Sequence, residues 1–449
     1  MSPLPSEPSR CYNSSANLMF TYLYSPGVCG ARKEAYIAKA TVETRKAFTP
    51  GKIGGLQLRN RIIRSGCFEG MCEGGNCSDL LIEHHRAVAK GGAAMTTVSY
   101  CSVSEEGRAY SHEMWIRKEI LPDLRRLTDA VHKVGGAVSV QLGHCGYFAS
   151  KADTGFQPMG ASRKFNLFRI SFPKVMTEAD INKVKEQFVN SALLAREAGF
   201  DACEIHAGHG YLLSQFLSPY TNHRTDIYGG SLENRMRFPA SVVGAAREAV
   251  GPDFPVMVKM NTTDGIRGGT EIEDAVATAR RFEAEGASAL VPSCGFTSKT
   301  PFMMMRGNVP TLEFAAADKS FARKFGLVLF GRFMVQEYQY NDLFLMQDAL
   351  KILKAVNIPV VLVGGVCSVS DLETAMNAGF EFVEMGRAII KDPDIVNKWQ
   401  RGEAMASDCD HCNRCVATIN GGPMACVCNT EGPLRRRFKP KGWPGSRRA

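Results

Sequence analysis

The sequence predicts an α/β protein built on a single (β/α)8 barrel of the TIM-barrel type. From residue 48 onward, eight short, β-rich apolar runs alternate with longer stretches of helical periodicity, which is the pattern of a parallel sheet. Eight strand–helix pairs over about 340 residues match the count of such a barrel. No GxGxxG turn follows the first run, which argues against a doubly wound dinucleotide-binding sheet.

Each predicted element has its own local signal. The strands are predicted over residues 60–66, 93–100, 137–142, 202–207, 255–261, 289–294, 359–365 and 382–387. Amphipathic helices are predicted between them, for example over 120–136, 179–199 and 272–286. Leu121, Leu124, Leu127 and Val131 form the apolar stripe of the first helix, and Gly199 ends the second.

A long insertion is predicted between the sixth strand and its helix. It covers roughly residues 295–344 and is rich in Met, Phe and Gly. Active-site lids of barrels occupy this position, but a surface excursion or subunit contact explains the segment equally well. We expect residues 1–45 to form a poorly ordered extension, 46–405 the barrel, and 406–449 a cysteine-rich appendix with a basic tail.

Composition and charge narrow the class of protein. The 449 residues are 45% hydrophobic and 22% charged, which excludes collagen, coiled-coil and wholly disordered chains. The net charge of +9 is confined to the ends: residues 433–449 carry seven basic side chains and no acid, and residues 1–50 six basic and three acidic ones. The remainder has a net charge of −1, so the sequence does not predict a nucleic-acid partner.

The cysteines predict a reducing compartment. Many of the 15 are scattered through apolar runs or strand ends, which is typical of reduced thiols in a cytoplasmic protein. The sequence contains no run of about 18 apolar residues, so it predicts no membrane span. Organelle targeting by the N-terminal extension stays open.

Polar and glycine residues mark the carboxyl ends of the predicted strands, where barrels place their chemistry. Two glycines end the seventh strand and a Gly-Arg pair ends the eighth, so bare backbone N–H groups and a guanidinium lie where many barrels bind phosphate. A lysine from the fifth strand and an amide from the third could hold an electron-rich heterocycle attached to that phosphate. These candidates are Gly364, Gly365, Gly386, Arg387, Lys259 and Gln141.

His206 and His209 follow the fourth strand one helical turn apart, so both imidazoles can reach one atom. Two imidazole N–H donors could polarise a substrate carbonyl, and Tyr211 could supply a proton nearby. A zinc site is the alternative, although no carboxylate or cysteine ligand clusters with them. Core histidines with satisfied hydrogen bonds are the other alternative.

The stretch 204-EIHAGHGYLLSQFLSPYTNHRTDIYGGSLENRMRF-238 resembles the old yellow enzyme family of FMN-dependent NADH:flavin oxidoreductases. The segments NRIIRSG, VKMN and the closing GG and MGR occur in that family's order and spacing, and the resemblance covers about residues 46–400. It implies a barrel that binds FMN and passes a hydride from NADH or NADPH, through flavin N5, to an activated alkene.

The resemblance also implies residue roles. His206 and His209 would donate hydrogen bonds to the carbonyl of the substrate, and Tyr211 would protonate the alkene. The glycines and Arg387 would hold the FMN phosphate, and Gln141 and Lys259 the flavin pyrimidine. Ser65, Gly66 and Cys67 would pass along the flavin face, with Tyr100 also contacting the cofactor. Many relatives have Arg where Lys259 stands, and the family's Gly-Arg after His144 is replaced here by Gly146 and Tyr147.

A cysteine cluster near the C-terminus reads C-x2-C-x2-C-x10-C-x-C over residues 409–428. Longer relatives that resemble 2,4-dienoyl-CoA reductase hold a [4Fe-4S] cluster here, but with C-x2-C-x3-C spacing and a following electron-donating domain. We therefore expect no metal, while an iron–sulfur or zinc site of Cys409, Cys412, Cys415 and Cys426 stays open.

Three functional hypotheses follow. The first is an ene-reductase-like enzyme acting on a small α,β-unsaturated carbonyl or related acceptor. The second is a truncated dienoyl-CoA-reductase-like enzyme with an iron–sulfur cluster, and the third is a non-catalytic flavin-binding protein. A homo-oligomer is compatible with each.

Overall fold

The computed structural model describes residues 46–317, 335–419 and 422–429. The predicted N-terminal extension and the basic tail lie outside the described residues. The proposed domain boundaries at residues 45 and 405 therefore stay predictions.

Eight parallel strands form one barrel. They are β1 (Ile62–Arg64), β2 (Met95–Ser102), β3 (Ala137–Gly143), β4 (Ala202–Ala207), β5 (Val256–Asn261), β6 (Ala289–Ser293), β7 (Val361–Val363) and β8 (Phe382–Met385). They neighbour one another in chain order, with β8 beside β1. A parallel bridge between Leu290 and Val360 joins β6 to the start of β7 and closes the ring. The predicted (β/α)8 barrel is confirmed.

A helix follows every strand. The eight barrel helices are α1 (Asp79–Lys90), α2 (Leu121–His132), α3 (Glu178–Glu197), α4 (Leu232–Val250), α5 (Ile272–Ala284), α6 (Met346–Leu353), α7 (Val369–Asn377) and α8 (Arg387–Lys391). The predicted stripe of α2 is buried, because its four apolar residues pack on the barrel. Thr177 and Asp180 begin α3 with a reciprocal capping box.

Shorter elements decorate the barrel. Helices Lys151–Thr154, Leu212–Leu217, Thr311–Ala317, Ile395–Gln400 and Arg414–Thr418 lie in the connections and the appendix. Two-stranded pairs join Gly51–Ile53 to Leu56–Leu58 and Met159–Gly160 to Lys174–Val175. Ile53 and Leu58 of the first pair join Phe382 in an apolar cluster with barrel residues. This cluster is apolar, whereas the polar candidate residues lie at the carboxyl ends of the strands.

Ion pairs hold the loop before α4 and the first turn of α4 itself. Arg224 pairs with Asp226, and Arg235 pairs with Asp274 of α5 at 3.1 Å. All cysteines of the described residues are free thiols. Among the described helices, none combines the length and hydropathy needed to cross a bilayer.

The insertion and the appendix meet on one side of the barrel. Arg414 of the appendix pairs with the buried Glu313 of the insertion at 3.1 Å. A backbone bridge joins Ser368, just before α7, to Ala406. The described part of the appendix, which ends at residue 429, is therefore packed against the barrel.

Candidate active site

A buried polar cluster fills the barrel interior near the strand ends. Lys259 of β5 lies between two carboxylates, with its Nζ 3.1 Å from Glu204 Oε1 and 2.8 Å from Glu384 Oε2. Gln141 donates from Nε2 to Glu204 at 2.6 Å, and Ser65 donates to Glu384 at 2.7 Å. The register explains the contacts, since Gln141 pairs with Glu204 across β3 and β4.

Burial and neighbouring charges shift the pKa values of this cluster in opposite directions. Burial raises the pKa of Glu204 to about 7, although the charge of Lys259 opposes that shift. Burial alone would lower the pKa of Lys259, but the two carboxylates outweigh it and raise that pKa. Lys259 is therefore a permanent cation whose charge is already shared with protein groups.

The two predicted histidines lie beside this cluster, in adjacent positions at the end of β4. The ring centroids of His206 and His209 are 4.8 Å apart, and the Tyr211 ring is 5.0 Å from His206. His209 has a left-handed backbone, with φ of 58°. Asn261 of β5 fixes it by accepting from its N–H at 2.9 Å, and its Nε2 lies 2.7 Å from Ser293 Oγ of β6.

Both imidazoles are neutral at ordinary pH. Burial, with help from the Lys259 charge, lowers the pKa of His209 to about 3 and lowers that of His206 well below its usual range. The Gly208 N–H donates to Nδ1 of His206 at 3.3 Å, so the proton of this neutral ring lies on Nε2. His206 can thus donate one N–H bond to an acceptor without carrying charge.

Aromatic side chains form a wall next to the histidines. Tyr100 lies 6.3 Å from His206 and 5.2 Å from Tyr211 between ring centroids, and Phe68 lies 5.9 Å from Tyr100. Phe148 meets Tyr211 edge-on at 6.0 Å. Burial raises the pKa of Tyr211, and this keeps its hydroxyl protonated as a potential acid.

The turn after β1 approaches its neighbours closely, which explains its glycine. A Cβ on Gly66 would lie 2.9 Å from Nε2 of Gln141, and a Cβ on Gly386 would lie 3.1 Å from the Cys67 sulfur. Ser65, Gly66 and Cys67 therefore lie between Gln141 and the end of β8. Their predicted contact with the flavin face stays a prediction.

The glycines after β7 are covered by the end of the insertion. Gly364 and Gly365 have φ of 99° and 84°, and a Cβ on Gly365 would lie 2.4 Å from the backbone nitrogen of Leu343. Leu343 N–H and the Tyr340 hydroxyl both donate to the carbonyl of Gly365, at 3.1 and 3.3 Å. The insertion is thus part of the predicted phosphate end of the site.

Arg387, the predicted phosphate ligand, is engaged by protein groups. Its Nη1 donates to the carbonyl of Arg306 and to Oδ1 of Asn413, both at 2.7 Å. Asn413 in turn donates to the carbonyls of Met305 and Asn308. One appendix residue thus joins Arg387 to the insertion, a contact that the sequence analysis did not foresee.

The five C-terminal cysteines line one cavity. Its volume is about 250 Å³, and Arg387 and Lys391 of α8 also contribute to its wall. Side-chain ligand atoms of Asp410, Cys412 and Cys428 lie within 4.8 Å of one another. The four cysteines predicted from the sequence, Cys409, Cys412, Cys415 and Cys426, all line this cavity. Of these four, only Cys412 belongs to the close group that the described residues form with Asp410 and Cys428.

Sequence reasoning missed Glu204 and Glu384. Both are acids inside buried strands, and a buried carboxylate requires a partner of opposite charge or a proton. That signal was available, since Lys259 is the cation of a neighbouring buried strand. Asn413 offered no comparable signal, because nothing in its local sequence indicates the distant partners.

Comparison with protein families decides the identity of the barrel. Residues 46–291 match the model of the NADH:flavin oxidoreductase / NADH oxidase family. The chain belongs to this family. It is the old yellow enzyme family that the sequence resembles, and its members are oxidoreductases. Residues 345–428 also match a histidine biosynthesis protein model, which covers the last two strands and the appendix.

Curated relatives support the assignment over most of the chain. The sequence is 38% identical over 388 residues to a 4,4'-dithiodibutanoate disulfide reductase of Rhodococcus erythropolis, covering 86% of this chain and 96% of that protein. It is 33% identical to a metal reductase of Desulforamulus reducens over 86% of this chain, but spans only 53% of that longer protein. An NADPH dehydrogenase of Geobacillus sp. is 34% identical, over 55% of this chain and 72% of the relative.

Solved structures share the fold. A 2-naphthoyl-CoA reductase complex matches with a TM-score of 0.73 at 24% identity, over 88% of this chain and 58% of that one. Morphinone reductase matches with a TM-score of 0.64 at 22% identity, over 84% of this chain and 93% of that one.

Proposed function

We propose that the protein is an FMN-dependent NAD(P)H oxidoreductase that reduces a small acceptor with an activated alkene, such as an enone. The observation that carries this proposal is the pairing of two neutral imidazoles with a protonated tyrosine at the end of β4, next to a buried cation. Family membership supports FMN as the cofactor, and these side chains support alkene reduction as the reaction.

The residues present fit FMN in their chemistry. Gly386 has no side chain just before α8, which begins at Arg387, so a phosphate could be held there through backbone N–H groups. Gly365 lies nearby but is in contact with Leu343 of the insertion. Gln141 and Lys259 offer an amide and a cation to the pyrimidine edge. Ser65 lies against Glu384 and Lys259, and the Cys67 sulfur lies beside Gly386, while Tyr100 lies beside His206. Bound FMN would supply hydride transfer from NADH or NADPH to the acceptor.

The protein's own groups orient and protonate the acceptor. His206 donates from Nε2 to the carbonyl oxygen, and His209 is held beside it by Asn261 and Ser293. Because both rings are neutral, they stabilise negative charge that develops on the oxygen without repelling nearby Lys259. Tyr211 then gives its phenolic proton to the alkene carbon next to the carbonyl.

A disulfide acceptor is the second candidate. The relative from Rhodococcus erythropolis is named for a disulfide substrate, and the chain covers 96% of it. Reduction of a disulfide consumes two electrons and two protons and yields two thiols, so it would need the same proton donor, Tyr211. No step would require the carbonyl contact of His206, and this distinguishes the two acceptors.

The cysteine cavity supports the alternative function, a dienoyl-CoA-reductase-like enzyme with an iron–sulfur cluster. Five thiols around one cavity suit a soft metal or an iron–sulfur cluster in donor type, and the 2-naphthoyl-CoA reductase shares the fold. A visible spectrum with an assay for acid-labile sulfide decides this point. Flavin bands without sulfide support the first proposal, whereas a brown protein with stoichiometric sulfide supports the alternative.

An anaerobic half-reaction screen tests the function. The bound flavin is reduced with NADH or NADPH, and enones, dienoyl thioesters, disulfides, nitro compounds and quinones are then tested for reoxidation. We expect reoxidation by enones, with the His206→Ala/His209→Ala variant slower by about 10²- to 10³-fold because the oxyanion donors are lost.

Flavin content provides the control for that variant, since neither histidine belongs to the proposed phosphate cradle. The variant should keep its FMN and its reduction by NAD(P)H. Unchanged enone turnover in it would contradict the assigned roles. A loss of enone turnover with disulfide turnover intact would show that both acceptors use the pocket, with different contacts.

A further inference from the structure

A buried carboxyl group lies behind the aromatic wall and has no role in the reaction as described so far. Glu113, between β2 and α2, is fully buried. The Ala109 N–H donates to its Oε2 at 2.7 Å. Within the described part of the chain, no lysine or arginine comes within ion-pair distance of it. A buried carboxyl without a neighbouring cation is more stable in its neutral, protonated form than as a carboxylate.

Polar side chains lead from Glu113 to Tyr211, and the last of them, Tyr100, hydrogen-bonds to the Tyr211 side chain. The Cys145 sulfur lies 3.9 Å from both carboxylate oxygens of Glu113. The Tyr100 hydroxyl lies 2.6 Å from the same sulfur, and the Tyr100 and Tyr211 rings are 5.2 Å apart. Cys145 is fully buried and Tyr100 nearly so, which excludes bulk water from the middle of this path.

The surroundings keep the carboxyl neutral. Burial raises the pKa of Glu113 to about 8, against hydrogen bonds from Ala109 and Tyr100 and the charge of Arg108. Arg108 itself pairs with Glu105 at 3.1 Å. The other titratable groups that face Glu113 from neighbouring segments are Cys72, Tyr100, Cys101, Tyr110 and Cys145, and burial raises the pKa of each.

We propose that Glu113 is an internal proton store that reprotonates Tyr211 between turnovers, through Cys145 and Tyr100. The proposal rests on the proposed function, in which Tyr211 gives up its proton to the acceptor. It applies to an alkene and to a disulfide alike, because both consume a proton at the same place.

The protons balance over one turnover. After Tyr211 has protonated the acceptor, the Tyr100 O–H proton moves to the tyrosinate oxygen, and the Cys145 S–H proton moves to Tyr100. Glu113 donates its carboxyl proton to Cys145 and is left as a buried carboxylate, and one proton from solvent has to reach this carboxylate through the protein before the next cycle. No oxidant or reductant is involved, and each intermediate group ends as it began.

Infrared difference spectroscopy of the FMN-loaded protein tests the store without turnover. The wild-type protein should show a protonated-carboxyl C=O band that is absent in Glu113→Gln and disappears as the pH rises through about 8. Glu105→Gln is the matched control, since it removes a carboxyl from the same turn and should leave the band intact. An identical band in Glu113→Gln and wild type would overturn the proposal.

Kinetics test the relay. A single reoxidation by a saturating acceptor should be unchanged in Glu113→Gln, because Tyr211 starts protonated, whereas steady-state turnover should fall by about tenfold. Cys145→Ala should show the same steady-state loss while keeping the infrared band, and the double variant should be no slower than either single one. Wild-type turnover in Glu113→Gln or Cys145→Ala would overturn the relay. A wild-type protein that reduces no acceptor would instead refute the proposed function.

Discussion

Two histidines at opposite sides of the site have the same unusual backbone but different surroundings. His209, after β4, and His411, in the appendix, have φ of 58° and 55°. Burial and a nearby cation lower both pKa values, to about 3 for His209 beside Lys259 and about 4 for His411 beside Arg387. The two imidazole rings differ in the residues that contact them.

His209 is held by the ends of the next two strands, whereas His411 is held by segments distant in sequence. Asn261 and Ser293 fix the first. His411 stacks on Tyr340 of the insertion at 3.4 Å between centroids, and its Nε2 lies 3.4 Å from the Cys367 sulfur. The barrel builds one end of the site by strand order, and the insertion and appendix build the other by long-range contact.

The largest expected effect is at the cation of the strand-built end. Lys259→Met would leave Glu204 and Glu384 buried without their shared partner, and we expect it to lower the free energy of unfolding by about 3–5 kcal/mol. Denaturant unfolding at pH 7 measures this loss. It should shrink at acidic pH, where the carboxylates can take up protons.

Lys259→Arg is the control for that variant, because it keeps the charge. It should retain most of the stability of the wild type. A similar loss in both variants would mean that packing, rather than charge compensation, holds this end together.

A smaller effect is expected at the contact-built end. Asn413→Ala removes the acceptor of Arg387 and the donor to Met305 and Asn308, at a cost of about 1–3 kcal/mol. Limited proteolysis should then cut the appendix faster, with the barrel left intact.

Asn413 also has a left-handed backbone, with φ of 56°. Asn413→Gly should therefore be milder than Asn413→Ala by about 1 kcal/mol, since glycine tolerates that conformation. Equal losses would show that only the side-chain contacts matter. Unchanged proteolysis in both variants would contradict the role assigned to Asn413.

The effect that is smallest at neutral pH concerns the two histidines, and it grows as the pH falls. Each is neutral when folded and takes up a proton on unfolding below about pH 6.5, so its contribution to stability is lost as the pH falls from there toward its folded pKa. His209→Asn should reduce the pH slope of stability by up to about 1.4 kcal/mol per pH unit between about pH 6.5 and 3.

His411→Asn should change the slope less, because that ring is partly exposed and screened by solvent. Asparagine suits both positions, since it adopts the left-handed conformation readily. Urea unfolding at pH 7 and pH 5 measures both slopes. A larger change for His411 than for His209 would reverse the comparison.

The sequence predicted the strand-built end well and the other end poorly, for a physical reason. All eight predicted strands lie within two residues of those observed, because buried β-rich runs are a local signal. His206, His209, Gln141 and Lys259 follow from strand position alone. The partners of Arg387 lie 81 and 26 residues away, at Arg306 and Asn413, and no periodicity reports such contacts.

The buried cluster around Lys259 changes how this pocket receives an electron-rich ring. Such a ring does not meet a bare cation, since Glu204 and Glu384 already share the charge. Binding is therefore an exchange of partners, and the group released must be neutralised or paired again. Because burial raises the pKa of Glu204 to about 7, this carboxylate can take up a proton near neutral pH when its partner is drawn away. We therefore expect loading of the pocket to be coupled to proton uptake from solvent.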